Sequence, residues 1–220
     1  MISIERQQGL LLAISERLEK KITVYAVGGT AMMFLGLKDS TLDIDLVFEN
    51  KNEKNSFKEA IISLGYKEFD AKIVYGGRAN RPEMLTLGDE RFDLFVKEVI
   101  DFIFSENMQK RAGQTHQFGN NLILKIADPH DIILMKCATD RIKDLDDARN
   151  IINGREIDWK LIIEEAKNQI KLGKVRAVFD LGCFVEKLEK EFKMTALKKI
   201  VDEIWDLVSE EAEEKKQERR

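Results

Sequence analysis

Hydrophobic and polar residues alternate along this chain with two different periods, and each period predicts a different element. Apolar positions three or four residues apart predict helices, whereas short β-branched or aromatic runs predict strands. The first half of the chain has predicted helices at 4–20, 30–37, 56–64 and 98–110. Its predicted strands lie at 22–27, 42–48, 66–74, 84–87, 91–96, 115–118 and 122–126. After Asp128 only helical spacing remains, with one or two helices over 128–153, two over 158–190 and one over 195–218.

These elements predict an α+β fold in which a mixed β-sheet flanked by helices is followed by a C-terminal helical domain. We place the boundary where the strands cease, so that residues 1–127 form the α/β domain and residues 128–220 form the helical domain. Asp128 is a suitable N-cap and Pro129 a suitable first helical residue, which marks the start of the second domain.

Composition narrows the classes of protein to consider. The chain has 220 residues, of which 44% are hydrophobic, enough for one or two domains with a packed core. No apolar run is long enough to cross a bilayer, and the amphipathic N-terminus contains Glu5, so we expect neither a membrane partner nor a signal peptide. Cys137 and Cys183 lie far apart in apolar stretches and are expected to be reduced, which favours a cytoplasmic location. The net charge of −4 gives no global nucleic-acid signature.

Two aspartates interrupt the strand predicted at 42–48, where a buried strand would normally carry no charge. Because side chains alternate along a strand, Asp43 and Asp45 share one face, and Ile44 and Leu46 point to the other. Adjacent carboxylates repel each other unless a positive charge lies between them. A divalent ion such as Mg²⁺, which prefers oxygen ligands, would supply that charge. The alternative is a strand edge whose acidic residues face water.

A third aspartate, Asp93, lies in the strand predicted at 91–96 and shares a face with Arg91. If this strand lies beside 42–48, Asp93 joins Asp43 and Asp45, and the three carboxylates hold one or two metal ions. Asp93 would then be a further ligand or the general base. Considered alone, it is equally compatible with an ordinary charged residue of an edge strand.

Gly28, Gly29 and Thr30 follow the first predicted strand and precede a short helix. Helix N-termini expose N–H groups that favour anions, and glycine lets the backbone approach a phosphate closely. Thr30 would add a hydroxyl. Two glycines before a helix are also compatible with a simple turn, so it is their combination with the later aspartate strands that predicts a triphosphate site.

The order of these features resembles the nucleotidyltransferase superfamily typified by polymerase-β-like enzymes. That family combines a Gly-Gly or Gly-Ser turn, a short helix, an Asp-x-Asp/Glu strand and a third carboxylate on a neighbouring strand, and the matching residues in this chain are Gly28, Gly29, Asp43, Asp45 and Asp93. The resemblance implies a nucleotidyltransferase-like sheet, Mg²⁺ or Mn²⁺ held by the aspartates, and a nucleoside triphosphate as substrate.

The stretch DIILMKCATDRIKDLDDARNII resembles a second motif, found in small standalone prokaryotic nucleotidyltransferases related to abortive-infection toxins. That resemblance implies that Lys136 contacts the triphosphate and that Asp144 supports the site. From the residues alone, Lys136 is also compatible with a surface lysine whose stem covers apolar neighbours. For Asp144, a role as the N-cap of a helix over 145–152, with Asp147 in its first turn, is as compatible with the sequence as a role in the site.

The expected function is therefore a metal-dependent nucleotidyltransferase that moves a nucleoside monophosphate from Mg–NTP to an acceptor and releases pyrophosphate. The resemblance implies RNA, such as tRNA, or a protein as the acceptor, and a place in a toxin–antitoxin pair. The alternative is a non-catalytic nucleotide-sensing or partner-binding module on the same fold. An RNA-binding helical protein is less favoured, because the sequence has no basic stripe.

Overall fold

The computed structural model describes residues 1–139 and 141–218, which divide into two compact units. The first consists of Met1–Ile100 and Phe104–Asp128, and the second of Asp101–Ile103 and the chain from Pro129 onward. The fold is the predicted α+β arrangement, a mixed sheet flanked by helices and then a C-terminal helical region. Within the described part of the chain, no helix has the length and the apolar character that a membrane span requires.

The first unit contains the sheet and five helices. The helices are α1 (Ile4–Ser15), α2 (Gly28–Phe34), α3 (Lys51–Ser63), α4 (Lys72–Tyr75) and α5 (Glu106–Arg111). Its strands, together with β7 of the second unit, are β1 (Ile22–Ala26), β2 (Asp43–Phe48), β3 (Lys67–Phe69), β4 (Glu83–Leu87), β5 (Glu90–Val96), β6 (Glu98–Val99), β7 (Phe102–Ile103), β8 (Gln114–Phe118) and β9 (Leu122–Ile126).

Seven strands follow one another across the sheet in the order β3-β4-β5-β2-β1-β9-β8. β2 pairs with β5, and β1 with β9, in parallel, and the other neighbours in this order are antiparallel. The strands predicted at 115–118 and 122–126 are β8 and β9, which pair as an antiparallel hairpin with Phe118 opposite Leu122 beside the turn. β2 and β5 are therefore adjacent and point the same way, which decides where their side chains meet.

The core of the sheet lies on the face of β2 that carries Ile44, Leu46 and Phe48, all fully buried. Phe57 of α3 covers this face, and its ring centroid lies 5.2 Å from that of Phe48 and 6.3 Å from that of Phe92 in β5. Burial of these apolar side chains is the main force that holds α3 on the sheet. The aspartates of β2 alternate with this apolar set and consequently point away from it.

The second unit is helical apart from β7. Its helices are α6 (Pro129–Lys136), α7 (Ile142–Gly154), α8 (Trp159–Lys171), α9 (Val175–Phe192) and α10 (Lys198–Glu218), with a 3₁₀ turn at Thr195–Leu197. Gln169 of α8 is fully buried and bonds both backbone groups of Ile103, at 3.0 and 2.8 Å, which ties β7 to this unit. The change from strands to helices after Asp128 follows the sequence pattern, with Pro129 as the first residue of α6.

The helix predicted over 98–110 is wrong except at its end. Lys97 and Ile100 have φ angles of 59° and 56°, which a right-handed helix does not allow, and the segment between them forms β6. The helix is the short α5, which begins after Ser105 because the hydroxyl of that residue accepts a hydrogen bond from the N–H of Met108 at 3.2 Å. Local apolar spacing predicted a helix, but the burial of these side chains in extended segments overrode it.

Other predicted boundaries also differ. The strand over 66–74 shortens to β3, which ends at Phe69. The carboxylate of Asp70 then accepts from the N–H of Lys72 at 2.9 Å, and α4 follows at Lys72. α3 starts at Lys51, before the predicted start at 56, and is capped by Asn50, since the Asn50 side chain accepts from the N–H of Glu53 at 2.9 Å. α1 ends at Ser15, before the end of the predicted 4–20 segment.

Candidate active site

The carboxylates of Asp43, Asp45 and Asp93 lie together on one face of the sheet. The parallel register of β2 and β5 sets Asp45 opposite Asp93 and Asp43 opposite Arg91. Because all four residues occupy alternate positions, their side chains point to the same side. One oxygen from each of the three carboxylates lies within 4.8 Å of the others, which is close enough for a single metal ion to contact all three.

These carboxylates are held from several directions. Asp43 is 5% exposed, and its Oδ1 accepts from the Thr41 hydroxyl at 3.2 Å. Asp93 is fully buried, and its Oδ2 accepts from the Tyr75 hydroxyl, at the end of α4, at 2.6 Å. Asp45 is half-buried, and its backbone N–H donates to the Thr30 hydroxyl oxygen at 2.9 Å. The arrangement is built into the fold, since it draws on α2, α4 and the loop before β2.

Arg91 places a guanidinium against two of the three carboxylates. Its Nη2 donates to Asp43 Oδ2 and, at 3.1 Å, to Asp93 Oδ2. Its Nε lies 2.9 Å from Asp93 Oδ1, but the atoms are not aligned for a hydrogen bond, and among the described residues neither has a hydrogen-bond partner. The sequence pattern placed Arg91 on the same face as Asp93 but assigned it no role. The strand alternation in 91–96 was the signal that could have found it.

Burial controls the ionisation of this cluster. Desolvation raises the pKa of the Asp93 carboxyl to about 6, with the negative charge of Asp43 adding to the effect and Arg91 and Tyr75 opposing it. Burial also disfavours the Arg91 guanidinium, but the charges of Asp93 and Asp43 outweigh burial, so the pKa of Arg91 lies above its ordinary value. The charge of Asp93 is thus costly to keep without a cation.

The residue set fits a hard divalent cation. The ligands on offer are carboxylate oxygens, which Mg²⁺ and Mn²⁺ prefer. Asp93 Oδ1 is a buried carboxylate oxygen without a hydrogen bond in the described part of the chain, and a buried anionic oxygen normally has a partner. Arg91 already supplies one positive charge to the cluster, so the crowding of the carboxylates does not by itself require a metal.

The two glycines before the site are in close contact with it. α2 begins at Gly28, two residues earlier than predicted, so both glycines belong to its first turn. Gly28 has a φ of 54°, and a Cβ there would lie 2.6 Å from Asp45 Oδ2. A Cβ at Gly29 would lie 2.5 Å from the hydroxyl oxygen of Thr41. Side chains at either position would therefore collide with the groups that shape the carboxylate cluster.

The hydroxyl of Thr30 contacts backbone groups of β2. The Thr30 side chain is fully buried, and its hydroxyl lies 3.4 Å from the carbonyl oxygen of Asp43 while accepting from the N–H of Asp45. The hydroxyl thus fastens α2 to β2 and orients the strand that carries both aspartates.

Lys136 and Asp144 lie in the second unit, where they bond to each other. Lys136 is 8% exposed, and its Nζ lies 2.9 Å from Asp144 Oδ1 and 2.5 Å from Asp147 Oδ2. Burial disfavours the ammonium, but the two carboxylates outweigh it and raise the pKa of Lys136 above its ordinary value. The surface-lysine alternative is therefore wrong.

Asp144 does not cap a helix over 145–152, because α7 already begins at Ile142. Its buried carboxylate accepts from Thr139 and, at 2.8 Å, from Nε of Arg141, in addition to Lys136. These contacts join α6 to α7 across a short connection. That Lys136 contacts a triphosphate and that Asp144 supports the site stay predictions.

Comparison with known proteins points to one family. A family model described as "nucleotidyltransferase of unknown function" (DUF6036) matches residues 2–193, which is most of the chain. No curated protein matches the chain. Among solved structures, ANT(2″)-Ia in complex with adenylyl-2″-tobramycin is 16% identical, with a TM-score of 0.45 over 82% of this chain and 98% of that chain. A proposed nucleotidyltransferase from H. pylori is 14% identical, with a TM-score of 0.35 over 97% of this chain and 96% of that chain.

Proposed function

This chain belongs to the family of nucleotidyltransferases of unknown function (DUF6036), and on that premise we propose that it transfers a nucleoside monophosphate from a nucleoside triphosphate to an acceptor, releasing pyrophosphate. The observation that carries the proposal is the meeting of Asp43, Asp45 and Asp93, from two adjacent parallel strands, within 4.8 Å. Family membership supports nucleotidyl transfer in general, and the aspartate cluster supports a metal-dependent form of it.

In this proposal Asp43, Asp45 and Asp93 hold Mg²⁺ or Mn²⁺. A metal bound there would neutralise charge on the triphosphate and lower the pKa of an attacking hydroxyl. Thr30 and Thr41 orient the aspartates through their hydrogen bonds to Asp45 and Asp43. The first N–H groups of α2, at Gly28 to Thr30, are of the kind that bind phosphate, because the start of a helix leaves them without intrahelical partners.

Asp93 is the residue best placed to take part in proton transfer or to complete the metal site. Its Oδ2 is bonded to Tyr75 and Arg91, whereas Oδ1 has no hydrogen bond among the described residues, so we assign the role to Oδ1. With a pKa of about 6, this carboxyl is ionised at neutral pH and close to the range in which a general base works best. In the same proposal Lys136 contacts the triphosphate and Asp144 supports the site.

The acceptor is proposed from the resemblance alone, as an RNA such as tRNA or a protein side chain, with the protein acting in a toxin–antitoxin pair. The second candidate function is a nucleotide-sensing or partner-binding module without catalysis. Arg91 is the observation that favours this second candidate, because a guanidinium bound to Asp43 and Asp93 stabilises the carboxylate cluster without a metal.

The test is transfer of label from each of four α-³²P-labelled triphosphates to total RNA and total protein, with and without Mg²⁺. We expect wild-type labelling to require the metal, and Asp45→Asn to lose it by about a hundredfold or more, since it removes one ligand charge while keeping shape. Asp89→Asn, the same substitution at an exposed turn residue, is the matched control and should label normally.

Two outcomes would count against the proposal. Labelling by Asp45→Asn at the wild-type level would remove the assigned role of that carboxylate. Nucleotide binding by calorimetry without any transfer, for all four triphosphates, would favour the non-catalytic module instead.

A further inference from the structure

Arg91 is the cation that balances the carboxylate cluster. Its side chain is 19% exposed and contacts Asp43 and Asp93, whose side chains are 8% and 0% exposed. Two of the three carboxylates of the cluster thus have a guanidinium against them. Ionised carboxylates this close and this well buried repel one another strongly, and a buried guanidinium reduces that repulsion. Arg91 therefore stabilises the cluster while no metal is bound.

The guanidinium also lies against carboxylate oxygens that a metal would use. Both oxygens of Asp43 are bonded, Oδ1 to the Thr41 hydroxyl and Oδ2 to Arg91. On Asp93, Oδ2 accepts from Tyr75 and Arg91, and Oδ1 lies 2.9 Å from Arg91 Nε. A divalent ion brought to the three carboxylates would lie close to a charge of its own sign.

We infer that Arg91 is an internal counter-cation that competes with the divalent metal for Asp43 and Asp93 and so sets the metal affinity of the site. The inference rests on the proposed function, because it takes the three aspartates as the metal site. Arg91 is a positioning residue in this scheme, since it acts through the carboxylates. When a metal binds, it replaces the Arg91 guanidinium as the cation next to Asp43 and Asp93. The affinity of the site for metal is therefore lower than that of three carboxylates without a neighbouring arginine.

The test is the affinity for Mn²⁺ without nucleotide, measured by electron paramagnetic resonance and calorimetry in alkaline buffer. Arg91→Met keeps an apolar stem of similar length and removes the charge, and we expect it to bind Mn²⁺ about tenfold more tightly, or better. The control is Arg6→Met. It also removes an arginine that pairs with a residue of β5, since Arg6 Nε lies 2.6 Å from Glu90 Oε1, and its Mn²⁺ affinity should stay within about twofold of wild type. A merely structural role for Arg91 predicts weaker binding, not tighter binding.

Stability gives a second readout. Without metal, Arg91→Met should unfold at a lower temperature than wild type, because two buried carboxylates lose their partner, and added Mn²⁺ should raise its melting temperature by more than it raises that of wild type. If Arg91→Met does not fold, Arg91→Lys decides, since a lysine ammonium lacks the fork that spans both carboxylates. A several-fold gain in Mn²⁺ affinity is expected for the lysine variant.

Equal or weaker Mn²⁺ affinity in the folded Arg91 variant would overturn the inference. If wild type binds Mn²⁺ and transfers nucleotide in that case, the proposed function stands and only the role of Arg91 is wrong. If neither wild type nor the Arg91 variants bind Mn²⁺, the metal site is wrong and the inference fails with it.

Discussion

Gly28→Ala tests whether the start of α2 positions the candidate metal ligand Asp45. Gly28 has a φ of 54°, a conformation that L-residues adopt at a cost of about 1–2 kcal/mol. In addition, the new methyl group would lie 2.6 Å from Asp45 Oδ2 and 3.3 Å from its carboxyl carbon. The perturbation therefore has a backbone part, which acts on stability, and a steric part, which acts on one carboxylate.

The steric part sets the expected loss of activity. An ordinary contact between a carbon and an oxygen is longer than 2.6 Å by roughly 1 Å, so the Asp45 carboxylate must move by about that distance. A displacement of about 1 Å in a group that positions reactants costs about a hundredfold in rate, or about 2.7 kcal/mol. We expect Gly28→Ala to lose nucleotide transfer by about this factor and to bind Mn²⁺ more weakly than wild type.

Gly36→Ala is the matched control, because Gly36 has a φ of 70° but has nothing within 4 Å of the added Cβ. Both variants should lose about 1–2 kcal/mol of unfolding free energy in urea, and only Gly28→Ala should lose transfer and Mn²⁺ affinity. Wild-type transfer by Gly28→Ala, or an equal loss in both variants, would refute the claim that the close approach of Gly28 positions Asp45.

Two further predictions concern buried charges. Desolvation holds the folded-state pKa of Asp93 at about 6, above its ordinary 3.8, so the folded protein binds this proton more tightly and loses stability as the pH rises between these values. Asp93→Asn removes that loss, so in metal-free urea titrations the unfolding free energy of the variant minus that of wild type should rise by about 2.4 kcal/mol from pH 4 to pH 7. A difference that stays constant over this range would contradict a raised pKa of Asp93. Lys136→Met leaves Asp144 and Asp147 buried without their ammonium partner and should lower the unfolding free energy by about 3–5 kcal/mol in the same urea titrations. The control Lys160→Met changes an exposed lysine and should stay within about 0.5 kcal/mol of wild type. Equal effects of the two substitutions would mean that the buried ion pairs of Lys136 contribute nothing to stability.

The sequence by itself determined the elements whose signals are local. Alternation of charged and apolar residues placed Asp43 and Asp45 on one face of β2, and the loss of strand patterns after Asp128 placed the start of the helical region. The match to a nucleotidyltransferase family agrees with the resemblance inferred from the glycine turn and the aspartate strands. These features depend on residues a few positions apart, which is the range over which side-chain periodicity operates.

Only the tertiary structure decided which charged groups meet. The parallel register of β2 and β5 brings Arg91 against Asp43, a pairing between residues far apart in the chain that no local period encodes. Likewise, the isolated apolar pattern of 98–110 cannot show that Lys97 and Ile100 take left-handed backbone angles, because packing of the surrounding residues imposes them. The helix or strand preference of a residue is worth tenths of a kcal/mol. Burial of a single apolar side chain is worth more than that, so the folded context overrides the local preference at these positions.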